Sequence, residues 1–157
     1  ENILIGYDGY IKLADFGLSL TFGEAQAGEA DNLRGTLEYC APEAFGSDNC
    51  ERDGKYDVWG VGLVLYNLLT RSHPQQQRSI PEMVSISKGK KLSLPKKVKT
   101  EQYKFLRSLL TPSPELRPSA SECLSSPWLK NIPVQQLDDL VIGSTISSNI
   151  VKRYFCK

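Results

Sequence analysis

Histidine is nearly missing from this chain, with His73 the single example, and the four cysteines (Cys40, Cys50, Cys123 and Cys156) show no C-x-x-C spacing. That pattern argues against a zinc site, which gathers four such ligands at short intervals. The scattered thiols read as reduced cysteines of an intracellular protein. An excess of one charge is missing too. Lys and Arg number 19 against 18 Asp and Glu, giving a formal net charge of +1. No global field therefore points to nucleic acid or an anionic membrane, and neither is expected as a partner. The richest apolar stretch, Val58 to Leu69, is too short for a membrane helix and is interrupted by Gly60, Gly62 and Asn67. Glu1-Asn2-Ile3-Leu4 lacks the basic start of a secretory signal, and Cys156 stands second from the end, not fourth as prenylation requires. A soluble, cytoplasmic protein without internal repeats is the expectation.

What is present suits one domain with a real core: 157 residues, 40% of them hydrophobic. Ile3-Leu4-Ile5 and Tyr10-Ile11-Lys12-Leu13 flank Gly6-Tyr7-Asp8-Gly9, which predicts a short hairpin. Residues 18–34 hold few large apolar side chains and predict a long loop. Asp57 is expected to cap a helix over Val58–Leu69, apolar nearly all round and so buried on every face. Ile80-Pro81-Glu82 opens a short amphipathic helix closed by Lys88–Lys91. Thr100 caps another, which carries Tyr103, Leu106, Leu109 and Leu110 on one face and is ended by Pro112 and Pro114. Ser119 starts a last helix through Leu124. From Asn131 the pattern weakens, so residues 1–130 are expected to form the domain and 131–157 a tail.

Two motifs carry chemistry. Asp15-Phe16-Gly17 closes the second strand, and Gly35-Thr36-x-x-Tyr39-x-Ala41-Pro42-Glu43 follows the loop. Either alone could be chance. In this order, with Asn2 upstream and Arg117 in Glu115-Leu116-Arg117-Pro118 downstream, the chain resembles a eukaryotic serine/threonine protein kinase domain. The resemblance runs from Glu1 to about Leu129 and covers the second half of such a domain. It implies a mainly α fold with a small β-hairpin (α+β), a kinase-like carboxy-terminal lobe with the amino-terminal lobe absent. The ending Pro127-Trp128-Leu129 leans toward the calcium/calmodulin-dependent group. The stretch from Ile11 to Ser19 fits that group or the AGC group.

The resemblance further implies transfer of the ATP γ-phosphate to Ser or Thr of protein substrates. Such chemistry needs Mg²⁺ bridging the phosphates and hard oxygen ligands to hold it. Asp15 is the expected carboxylate ligand of the Mg²⁺ that spans the β- and γ-phosphates, catalytic in that sense, and Asn2 the amide ligand of a second metal. Both would thereby bind ATP. Phe16 is expected to pack under Asp15, and Gly17 to let the backbone turn. Thr36 is expected beside the substrate hydroxyl and catalytic in that sense. Glu43, buried under the substrate loop, calls for a bidentate partner in Arg117, and Asp57 resembles the acid that reaches back to the catalytic-loop backbone. Trp59, Gly60 and Gly62 read as core packing with close backbone approach.

Departures from the family pattern are equally informative. Residues 22–35 hold no Ser, Thr or Tyr, which leaves Ser19, Thr21 and Thr36 as the candidate phosphoacceptors of the loop. Glu29 or Asp31 could supply fixed negative charge, and activity is expected not to depend on phosphorylation there. Arg71-Ser72-His73-Pro74-Gln75-Gln76-Gln77 occupies the place of a usual Pro-Phe pair, and His73 reads as a surface residue. No G-x-G-x-x-G is present. These residues alone are not expected to catalyse transfer, and the isolated chain is expected to expose apolar surface and aggregate. A pseudokinase or truncated product serving as a binding scaffold is the alternative.

Overall fold

The computed structural model describes residues 1–7, 10–21, 35–45, 53–75, 78–88, 92, 94 and 100–130. The expected roles of Glu29 and Asp31, the tip of the hairpin turn and the tail from 131 lie outside the described residues. The chain divides into two compact units, one beginning with Glu1–Ser19 and the other running over Leu20–Ile132.

The first unit carries a hairpin. Strands β1 (Ile3–Ile5) and β2 (Ile11–Leu13) pair antiparallel, with Ile3 opposite Leu13 and Ile5 opposite Ile11. The β-branched Ile residues suit the pleat. Backbone bonds extend the ladder at both ends: Gly6 N–H donates to the Tyr10 carbonyl (2.8 Å), and Ala14 N–H to that of Asn2 (3.0 Å). The second bond brings the start of the chain alongside the Asp15 motif.

The second unit is helical. Helix α1 (Gly54–Thr70) runs longer than expected and starts earlier. Its cap is Asp53, whose carboxylate accepts Lys55 N–H at 2.9 Å, and not Asp57, which lies inside the first turn. Asp53-Gly54 supplies the extended cap and permissive start that the apolar run alone does not reveal. The helix stops at Arg71, held left-handed at φ 57° with its N–H on the Asn67 carbonyl.

Nor is α1 buried on every face. Trp59 and Leu63 are fully enclosed, whereas Val61 is 57% and Leu68 73% exposed. An all-apolar helix has almost no amphipathic signal, so its sequence does not say which side the neighbours take. The two glycines also differ. A Cβ on Gly62 would lie 2.8 Å from Leu110 Cδ2 and 3.0 Å from Leu109 Cβ, while one on Gly60 would meet nothing within 4 Å. Close backbone approach therefore holds for Gly62 and not for Gly60.

Helix α2 (Ile80–Ser87) opens on Ser79, whose N–H and hydroxyl both donate to Glu82 (2.8 Å each), a capping box. It buries Met83 and Ile86 and packs on the 3-10 turn Pro42–Phe45. Helix α3 (Thr100–Leu109) begins at Thr100 itself, so Thr100 is its first residue and not its cap. Its buried Leu106 and Leu109 and the following Leu110 sit against α1. Ser119 and Glu122 cap α4 (Ala120–Leu124) reciprocally, and α5 (Pro127–Lys130) sets Trp128 against Phe105 with ring centroids 5.2 Å apart. Ala41, Trp59, Leu63, Ile86, Leu92, Leu106 and Leu110 form the core, so the Gly35–Glu43 motif is anchored through Ala41.

Candidate active site

In the hairpin unit, Asp15 leaves β2 in the left-handed region at φ 62°. Few residues other than glycine tolerate that conformation, and Asp and Asn are the best of them. Its Oδ1 accepts Gly17 N–H at 3.2 Å, closing a tight turn, and Ser19 N–H donates to the Phe16 carbonyl at 3.0 Å. A Cβ at Gly17 would press within 3.2 Å of that same oxygen. The Asn2 backbone pairs with Ala14, so Asn2 and Asp15 stand at the ends of neighbouring strands. Phe16 does not pack beneath Asp15 here: it is 66% exposed.

In the helical unit, Gly35 (φ 88°) takes a backbone conformation that favours glycine, and Thr36 follows as an extended, exposed residue capping the 3-10 turn Leu37–Tyr39. The Thr36 carbonyl accepts Tyr39 N–H at 2.9 Å. Downstream, Ala41 and Pro42 are buried and Glu43 turns inward.

Glu43 meets Arg117 there. The guanidinium donates from Nη1 to Glu43 Oε1 (2.7 Å) and from Nη2 to Oε2 (2.8 Å). Nη1 also donates to the Lys55 carbonyl (2.8 Å), Nη2 to that of Pro112 (3.2 Å) and Nε to that of Thr111 (3.0 Å). An Arg side chain has five N–H donors, and all five are used. Arg117 is only 1% exposed, and its Cζ lies 5.1 Å from the centroid of the enclosed Trp59 ring, a cation–π contact. One side chain thus ties the motif loop, the first turn of α1 and the loop after α3 together. A model of the protein kinase domain matches residues 1–129. The chain belongs to the protein kinase family.

Relatives agree with this assignment. The chain is 36% identical over 131 residues to sperm motility kinase 3A of Mus musculus, covering 82% of this chain and 25% of the relative. It is 34% identical over 144 residues to the serine/threonine-protein kinase cds1 of Schizosaccharomyces pombe (87% and 31%) and 32% identical over 152 residues to CBL-interacting protein kinase 10 of Oryza sativa subsp. japonica (90% and 34%). The chain therefore spans between a quarter and about a third of these relatives' lengths. Its described residues, mostly helical with a small two-stranded antiparallel sheet, have the make-up of a kinase carboxy-terminal lobe. No helix among the described residues is long and apolar enough to cross a membrane.

Two residues of this kinase domain stand differently from their reading in sequence. Asp57 is exposed, yet the protein mass around its carboxyl withholds water and raises its pKa above the ordinary 3.8. His73 is half-buried, not a surface residue, and its ring lies edge-on to Tyr39 with centroids 4.6 Å apart. Gln75, two residues on, is 1% exposed. The signal for that burial was the place of Pro74-Gln75 in the family pattern, which Gln's polarity conceals.

Proposed function

We propose that the protein is an ATP-dependent serine/threonine kinase of the cytoplasm, transferring the γ-phosphate to Ser or Thr of protein substrates. The observation that carries this reading is Asp15, a carboxylate kept in a left-handed backbone turn directly after Ala14, whose N–H is bonded to the Asn2 carbonyl. Strain of that kind, roughly 1–3 kcal/mol, persists where function requires it. Asp15 and Asn2 offer a carboxylate and an amide oxygen, the hard donor set that suits Mg²⁺, and they are the residues that would hold it. When bound with ATP, the metal neutralises charge on the phosphates. Asp15 positions one side of that site, while the Gly17 N–H fixes its carboxylate. Thr36, exposed on a turn anchored by Ala41 and the Glu43–Arg117 pair, orients the substrate hydroxyl. Residues 1–130 act as part of the kinase domain, and the acceptor is a protein segment laid on the Gly35–Glu43 loop.

The test is transfer of labelled γ-phosphate from Mg·ATP to a Ser/Thr peptide library by the full-length protein, with Asp15→Asn as its control. Asp15→Asn should lose at least about a hundredfold in rate, the scale of one positioned electrostatic group. Thr36→Ser should retain activity that Thr36→Ala loses. A full-length protein that transfers no phosphate, or an Asp15→Asn variant at full rate, would overturn the reading and return the scaffold alternative.

A further inference from the structure

His73 belongs to no part of the chemistry described so far, yet its surroundings are unusually specific. Its Nδ1 accepts the Gln75 N–H at 3.3 Å, so the neutral ring carries its proton on Nε2. That Nε2 is withdrawn from solvent and has no partner among the described residues, and the same holds for Gln75 Oε1. The segment is braced from behind. Arg78 donates from Nε to the Pro74 carbonyl (2.7 Å) and from its backbone N–H to that of Gln75 (3.1 Å). In front stands Tyr39, edge to face, and Tyr39 N–H is bonded to the Thr36 carbonyl. A continuous set of contacts thus runs from the turn after α1, through one imidazole, to the turn that presents Thr36.

We propose that His73 is a positioning residue of the substrate loop: its neutral imidazole, fixed by Gln75 and set against Tyr39, holds the Thr36–Tyr39 turn in place, and its protonation releases that turn. This rests on the reading that the Gly35–Glu43 loop receives the protein substrate. An imidazolium has an N–H on both nitrogens, so at low pH Nδ1 would face the Gln75 N–H donor to donor and their bond would break. Burial depresses the imidazole pKa below 6.5, which keeps the ring neutral near pH 7, and Glu38 pulls the other way. Glu38 is the charged group of the Leu37–Tyr39 turn. Arg71 and Arg78 flank His73 on its own segment, with Arg78 Nε engaged by Pro74.

The experiment measures kcat and KM for a Ser/Thr peptide and for ATP from pH 5 to 8 in the full-length protein, comparing wild type, His73→Ala and His73→Phe. His73→Ala should raise peptide KM about two- to tenfold, the scale of one edge-to-face aromatic pair, with ATP KM unchanged. Wild type should show peptide KM rising toward acid. His73→Phe, which keeps a ring and cannot ionise, should lose that acid limb and retain a low KM. An acid limb identical in His73→Phe, or equal changes in the KM for peptide and ATP, would overturn the proposal. Should wild type phosphorylate no peptide, the kinase reading fails by itself. Amide exchange at Tyr39 then decides the present one: a protection factor (intrinsic over observed exchange rate) that falls on acidification in wild type but not in His73→Phe supports it, and no difference refutes it.

Discussion

Replacing Arg117 tests the physical account of the lobe most severely. Arg117→Ala removes five hydrogen bonds at once and leaves the Glu43 carboxylate, with three carbonyls, in an interior where Arg117 itself was 1% exposed. Breaking a buried pair by deleting one partner costs about 3–5 kcal/mol, because the remaining charge is uncompensated. That is a large share of a whole domain's stability, about 5–15 kcal/mol. Arg117→Lys keeps the charge but has three donors on a point ammonium and cannot fork to both Glu43 oxygens, so it should lose about 2 kcal/mol. Glu43→Gln combined with Arg117→Met removes both charges and should cost clearly less than the sum of the single changes. Urea unfolding followed by tryptophan fluorescence is the assay, since Trp59 lies against the guanidinium. The denaturation midpoint should fall while its slope is unchanged. An Arg117→Ala protein within about 0.5 kcal/mol of wild type, or a double variant as unstable as the added singles, would refute the reasoning.

Other predictions follow from single contacts. Gly62→Ala must push its Cβ into Leu110 and should destabilise by about 1–3 kcal/mol, whereas Gly60→Ala, in open space, should be neutral or gain up to about 1 kcal/mol from helix propensity; melting of the two variants checks this. Asp57 titrates with a raised pKa, so the folded state holds its proton more tightly than the unfolded chain does. Its ionisation therefore costs stability as pH rises through and above 3.8, and Asp57→Asn should be more stable than wild type at neutral pH and equal to it in strong acid, as urea midpoints across pH will show. For His73 the sign is opposite: a depressed imidazole pKa means stability is lost as pH falls below 6.5, and His73→Phe should abolish that loss.

Legibility in the sequence followed the strength of the local code. The hairpin, the helix openings at Ile80-Pro81-Glu82 and Ser119 and the kinase family were readable because turn residues, helix-opening residues and two motifs each state their own geometry, whereas the reciprocal capping by Glu82 and Glu122 emerged from the structure. Helix α1 was harder. Its start at Asp53-Gly54 was masked by the louder apolar run beginning at Val58, and its exposed Val61 and Leu68 have the same composition as its buried side. Buried Gln75 and half-buried His73 could not be found by polarity, since each is a polar side chain placed inside by the turn after α1. The site showed the same division. Asp15 was visible as a residue type, but the left-handed backbone beneath it was not, because glycine, the usual mark of positive φ, stands two places later at Gly17.

That backbone makes Asp15 and Arg117 opposite kinds of residue, and the contrast can be measured. Arg117 has every donor satisfied, so any change there removes stabilising contacts and should lower stability and activity together. Asp15 occupies a conformation that itself opposes folding, and its one side-chain bond among the described residues is the 3.2 Å contact from Gly17 N–H. Asn tolerates the left-handed region as well as Asp does, and its amide oxygen can accept the same N–H. Asp15→Asn should therefore leave the urea midpoint within about 0.5 kcal/mol of wild type, the range of a change that touches no packing or buried charge. Phosphoryl transfer by the full-length protein should nevertheless collapse, because an amide lacks the negative charge with which the carboxylate would hold Mg²⁺. A variant that lost stability and activity in parallel would make Asp15 a structural residue of the turn and remove the central support for its catalytic role.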